Sequence, residues 1–285
     1  MSNAKSVFKH GSLKLQQKST IVFASFSKKN YYLRFQVSAF ILLEGCVPIS
    51  PFMNFDYYLG GLVDKNSVRI ANNTMIQRTD ELWVFGEVSD GVLAEVALAK
   101  KFNRPVRFFS VSDDVKKIRE LSTKEVTLED VSPWMWDWVL EGKNIGRWHP
   151  RLQLKKTYPL IYPAYSKRNF FWQMQISKFC IEKRVIPLNP FMLFRYFLGD
   201  LVPRETIYRS NNNIVRISDG VWVFGEVSDG VLAEVKMKKE AGGEAKFFKI
   251  IDGNPVRFRK IPLKSIKFED DLGKYQHVLE SNNKE

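Results

Sequence analysis

The stretch WVFGEVSDGVLAEV occurs twice in this chain, letter for letter, at 83–96 and at 222–235. It constrains the fold more than any other feature, because sliding the sequence by 139 positions extends the match well beyond it. SKKN at 27–30 meets SKRN at 166–169, and PISPFMNFDYYLGGLV at 48–63 meets PLNPFMLFRYFLGDLV at 187–202. Asn72 and Asn73 meet Asn211 and Asn212, and Asp80 meets Asp219. No gap is needed from Ser27 to Val96; RPVRFF at 104–109 then meets EAKFF at 244–248, and KEVTLEDV meets KSIKFEDD after a small insertion. A repeat of about 120 residues has the size of a domain and is far too long for a solenoid period. The expected organisation is an N-terminal extension (1–18), a first domain (19–131), a connector (132–156), a second copy of the domain (157–272) and a tail (273–285).

Each copy alternates strand and helix patterns. TIVFASF at 20–26 is a short apolar run rich in β-branched and aromatic residues, the signature of a buried strand. Residues 30–44 carry apolar positions at 33, 37, 40 and 41 and end at Gly45, as an amphipathic helix does. VPIS (47–50), DELWVFG (80–86) and PVRFF read as further strands, and GVLAEVALAKKF reads as a second helix. The pattern restarts at LIYPAY (160–165). Strands separated by helices predict an α/β fold: two tandem flavodoxin- or Rossmann-like three-layer domains with mostly parallel sheets. VSPWMWDWVLEGKNIGRWHP (131–150) shows no counterpart in the other copy, and Trp134, Trp136, Trp138 and Trp148 cluster there. It reads either as a connector packing its tryptophans between domains or as a stacking platform for bases.

The chain has 44 Lys and Arg against 31 Asp and Glu, a net charge of +13. That balance favours phosphate-bearing partners such as nucleotides or nucleic acid, or serves solubility alone. The basic residues are dispersed, which argues against a disordered nucleic-acid arm. Two cysteines without a CxxC give neither a disulfide framework nor a zinc motif. His10, His149 and His277 lie near a terminus or in the connector, so neither a catalytic histidine nor a metal site is expected, and no cofactor is implied. No apolar run approaches the ~20 residues of a membrane span, and the N-terminus has no signal-peptide stretch. The expectation is a cytoplasmic protein without membrane attachment.

In a parallel sheet, ligands sit beyond the carboxyl ends of the strands, where helices begin. The EVSDG turn lies there in both copies. Ser89, Asp90 and Gly91, with Ser228, Asp229 and Gly230, suit an anion at a helix N-terminus and equally suit plain helix capping. Glu95 falls beside the apolar stripe of Val92, Val96 and Ala99, and Glu234 beside Val231 and Val235. A carboxylate bordering a buried stripe is a nucleophile or a raised-pKa acid, or a glutamate favoured near a helix N-terminus.

With SFSKKN, PISPF, DELWVFG and SDGVLAE in one copy and AYSKRN, PLNPF, DGVWVFG and SDGVLAE in the other, each copy resembles the nucleoside 2-deoxyribosyltransferase-like superfamily. The likeness is to a little-characterised branch of small bacterial and phage domains, and it covers most of both repeats. It implies N-glycosidic bond cleavage or base exchange on a nucleoside or nucleotide, with Glu95 and Glu234 as nucleophiles. It implies that Asp90 or Asp229 holds the sugar or base. Ser27 and Asn30, or Ser166 and Asn169, would line the other wall, with Lys28 or Lys167 meeting a phosphate. It also implies an internal pseudo-dimer with two composite sites, with further homo-dimerisation open. Phe52 and Phe191 stand where the branch often has histidine, and GlyGly (60–61) and GlyAsp (199–200) where it often has an acidic pair. A non-catalytic nucleotide-binding protein of the same fold is therefore the alternative reading, and a nucleic-acid-binding protein is the third.

Overall fold

A computed structural model of the chain describes residues 7–56, 58–146 and 148–280. It divides into two units, neither continuous in sequence. The first joins 19–158 to 192–207; the second joins 7–18, 159–191 and 208–280.

The first unit is built on β1 (Ile21–Phe26), β2 (Val47–Ile49), β3 (Glu81–Phe85), β4 (Val106–Phe109) and β5 (Glu120–Leu121), in the order β2-β1-β3-β4-β5. All neighbours are parallel except β5, which runs against β4. Every residue of β1 is buried, as expected of a strand covered on both faces. Its side chains alternate. Val22, Ala24 and Phe26 join Trp83, Phe85 and Phe109 in a cluster with Val37 and Ile41 of helix Arg34–Leu43. The opposite face, which carries Ser25, is the one that meets helix Asp90–Lys101. Helix Lys65–Arg78, which has no clear apolar stripe in the sequence, packs on Asp90–Lys101.

The second unit repeats this plan with β6 (Leu160–Tyr165), β7 (Ile186–Pro187), β8 (Gly220–Phe224), β9 (Glu244–Ile251) and β10 (Arg257–Ile261), in the order β10-β9-β8-β6-β7, with only β10 antiparallel. Helix Gln173–Glu182 covers one face through Ile176 and Cys180, and Asp229–Glu240 covers the other. The fold is thus two five-stranded, mostly parallel sheets flanked by helices.

The expected connector and extension turn out to be parts of the repeated architecture. Residues Pro133–Leu140 form a helix on Asp90–Lys101, and residues Gln276–Glu280 form one on Asp229–Glu240. Both follow an aspartate with positive φ, Asp130 and Asp270. Trp136 is buried edge-on against Phe108, while Trp134 and Trp138 face solvent in mutual edge contact. The counterpart escaped the sequence comparison because only a few apolar positions survive in it.

The repeat also begins earlier than Ser27. His10 and His149 are 139 positions apart, and each caps a short 3-10 strap, Gly11–Lys14 and Pro150–Gln153. The amide of Asn212 donates to Ser12 O at 2.7 Å, and that of Asn73 donates to Arg151 O at 3.0 Å. These asparagines occupy one repeat position, so each pins a strap in the same way. The strap that precedes β1 in the chain belongs to the second unit, and the strap that precedes β6 belongs to the first.

Candidate functional site

Most of the duplicated fourteen residues are accounted for by the fold. Trp83, Val84 and Phe85 are core strand residues. Gly86 has φ +73, and a Cβ there would stand 2.6 Å from Asn30 Nδ2; Gly225 has φ +81, with Asn169 Nδ2 at 2.7 Å. Val88 is fully buried and bridges to Leu128, as Val227 bridges to Phe268. Ser89 and Ser228 cap their helices by accepting from Val92 N and Val231 N. Asp90 Oδ1 accepts from Gly91 N at 2.6 Å, and Asp229 Oδ1 from Gly230 N at 2.7 Å. The turn therefore satisfies its own first-turn donors, which is the capping reading of these residues.

The first-loop residues are tied to the segments beyond β3 and β8. Ser27 is buried and donates to Glu129 at 2.6 Å, where Lys29 also pairs at 2.9 Å. Burial works to raise the Glu129 carboxyl, but these donors outweigh it and hold it below its ordinary value. Asn30 donates to Glu87 at 3.0 Å. Ser166 caps the 3-10 turn Lys167–Trp172, and Arg168 lies 3.8 Å from Glu269, the counterpart of Glu129. Lys28 and Lys167 point to solvent.

The two glutamates are where the copies part. Glu95 is 8% exposed, with both carboxylate oxygens taken. Ser25 Oγ donates to Oε2, and the guanidinium of Arg151, itself 5% exposed, pairs with Oε1. Glu234 sits in the same place on its helix but meets neither partner. The position of Ser25 is Ala164, and the position of Arg151 is Ser12. Instead Phe23 of β1 is replaced by Tyr162, whose hydroxyl lies 2.5 Å from Glu234 Oε1; the Asn211 amide lies 3.0 Å from the same oxygen. Tyr162 also reaches Asn211 Oδ1 at 2.9 Å, closing a triangle. Burial dominates the Glu234 carboxyl and pushes it up to about 7, against the opposing pull of those two donors. Burial likewise drives the Tyr162 phenol well above its usual range. Among the described residues Glu234 Oε2 has no hydrogen-bond partner.

The histidines were not expected at either site, yet both are there. His149 Nε2 faces Asp90 Oδ2 at 3.9 Å, and His10 Nε2 faces Asp229 Oδ2 at 3.7 Å. Each accepts a backbone N–H at Nδ1, from Arg151 and from Ser12, so in the neutral ring Nε2 carries the proton toward the aspartate. Burial, reinforced by Arg151, holds His149 below its ordinary pKa. The shared offset of 139 was the available signal. Among the described residues no group of three or more His, Cys, Asp or Glu side chains could hold a metal ion, and no helix is long and apolar enough to cross a membrane.

No protein-family model, curated protein or solved structure matched the chain.

Proposed function

We propose that the protein cleaves, or exchanges the base of, an N-glycosidic bond in a nucleoside or nucleotide, with Glu234 as nucleophile. The observation that carries this is the Glu234 carboxyl, with one oxygen held by Tyr162 and Asn211 and the other unengaged, at the start of a helix beyond a parallel strand. In this reading Glu234 Oε2 donates a lone pair to C1′ of the sugar as the C1′–N bond breaks. The bonding pair leaves with the base nitrogen, which takes a proton from solvent. Water then attacks C1′, the ester C–O bond breaks and returns its electrons to Glu234, and the proton released by water balances the one taken by the base. A second base in place of water gives exchange. Tyr162 and Asn211 hold the carboxylate through the cycle, while His10 orients Asp229 for a sugar or base hydroxyl. An internal pseudo-dimer forms part of the reading, supported by the duplication and by straps that each precede one repeat and complete the unit of the other.

A binding role without turnover is the second reading, favoured by Phe52 and Phe191. Both pack on the core, Phe52 against Phe26 at 5.0 Å and Phe191 against Tyr165 at 4.8 Å, and offer no polar group. The test is base release from ribo- and deoxynucleosides, their 5′-monophosphates and NAD, followed by chromatography. Release that disappears in Glu234→Gln supports the enzyme. No release, with thermal stabilisation by one of these compounds, supports the binder.

A further inference from the structure

We propose that the two copies have divided their labour: Glu234 reacts, Glu95 is a structural anchor, and the chain turns over at one of its two sites. This rests on the N-glycoside reading above, and goes beyond it by assigning different roles to two glutamates embedded in identical sequence.

The argument is one of oxygen occupancy. A carboxylate nucleophile needs an oxygen free to approach C1′. Both oxygens of Glu95 are engaged, one by Ser25 and one by Arg151. Displacing them strips a buried guanidinium of its counter-charge, and a buried unpaired ion is strongly unfavourable. Arg151 is fixed from the other side as well, since its carbonyl accepts from Asn73 and its own N–H is held by His149. The pair therefore clamps the strap Pro150–Gln153 onto helix Asp90–Lys101. At Glu234 the clamp is gone: Ser12 replaces the arginine, Ala164 replaces the serine, and Tyr162 brings a hydroxyl to the oxygen that Asn211 already holds. The asparagine supports the split. Asn211 is engaged with Tyr162 and Glu234, whereas the carbonyl oxygen of Asn72, its counterpart, is buried and has no hydrogen-bond partner among the described residues. Three substitutions outside the repeated fourteen residues thus convert one arrangement into the other.

The experiment uses the full chain. Base release is measured for the parent protein, Glu95→Gln and Glu234→Gln, using the best substrate of the nucleoside panel. The expected result is a loss of about 1,000-fold or more in kcat for Glu234→Gln and a kcat within about threefold of the parent for Glu95→Gln, accompanied by a lower melting temperature. Because Glu95→Gln removes an anchor, the unsubstituted protein is also incubated with a 2′-fluoro-arabinonucleoside of the same base, whose fluorine slows breakdown of the glycosyl ester. Tryptic digestion separates the copies by their ends, since one peptide closes in AEVALAK and the other in AEVK. Adduct on the AEVK peptide alone supports the division. Adduct on the AEVALAK peptide, or on both, overturns it while leaving the N-glycoside reading standing. Absence of base release from the parent protein refutes that reading, and the division with it.

Discussion

The Glu234 carboxyl yields a prediction that needs no substrate. Raising it from an ordinary 4.5 to about 7 corresponds to about 3 kcal/mol, at about 1.4 kcal/mol for each tenfold change in the ionisation constant. The sign follows from linkage: a group with a raised folded-state pKa contributes stability that is complete below the unfolded value and is lost as pH rises through the folded one. The parent protein therefore loses up to about 3 kcal/mol between pH 4.5 and pH 7 from this group alone. Glu234→Gln keeps the shape and still offers an oxygen to Tyr162, but it does not ionise. The difference in unfolding free energy between the two proteins, from urea titrations at half-unit steps from pH 4.5 to 8.5, should shift progressively in favour of Glu234→Gln up to pH 7 and then level off. Subtracting the two curves cancels every other titrating group. Parallel curves across the range would falsify the claim that the folded chain raises this carboxyl.

Three further outcomes are expected. Gly86→Ala forces a Cβ toward Asn30 at a positive φ and should cost on the order of 1–3 kcal/mol, read by calorimetry; a neutral substitution would show that the loop after β3 is not held by that approach. Trp136→Ala, which empties the space against Phe108, should cost about 3–5 kcal/mol, whereas Trp134→Ala and Trp138→Ala should stay within about 0.5 kcal/mol. His10→Ala should raise KM for base release more than it lowers kcat, because it frees Asp229 without touching Glu234; a kcat loss at unchanged KM would place His10 in the chemistry itself.

The sheets were legible because β1 and β3 are short, predominantly apolar and bounded by turn residues, and the duplication repeated each signal. Helix Lys65–Arg78 was not, because half of its buried positions are small or polar: Asn72, Asn73 and Thr74 are all buried, Asn73 to reach the strap at Arg151 O and Thr74 to bond back to Ile70 O of its own helix. The helix at Pro133–Leu140 reads as a connector in the sequence because its counterpart keeps little more than Val278 and Leu279. Glu95 and Glu234 were legible as partly buried carboxylates. Their divergence was not, since it is written at Phe23 and Tyr162, at Ser25 and Ala164, and at Arg151 and Ser12, all remote in sequence from the glutamates. The position of His10 and His149 along the chain says little about their surroundings, because each strap precedes one repeat and belongs to the unit of the other.

That carried strap sets an order of events during synthesis. The segment around Ser12 leaves the ribosome well before the Asn212 side chain that binds it, which is 200 residues further on. At about 5–20 residues per second, the strap waits on the order of 10–40 seconds for its partner. The first unit has its whole sheet in hand by Leu121 but gains its own strap only when Arg151 emerges. Its last segment, 192–207, comes later still. Severing the chain between the repeats would leave each half carrying a piece that the other requires, so the halves should be sought as a co-expressed, mutually dependent pair and never as two independent domains.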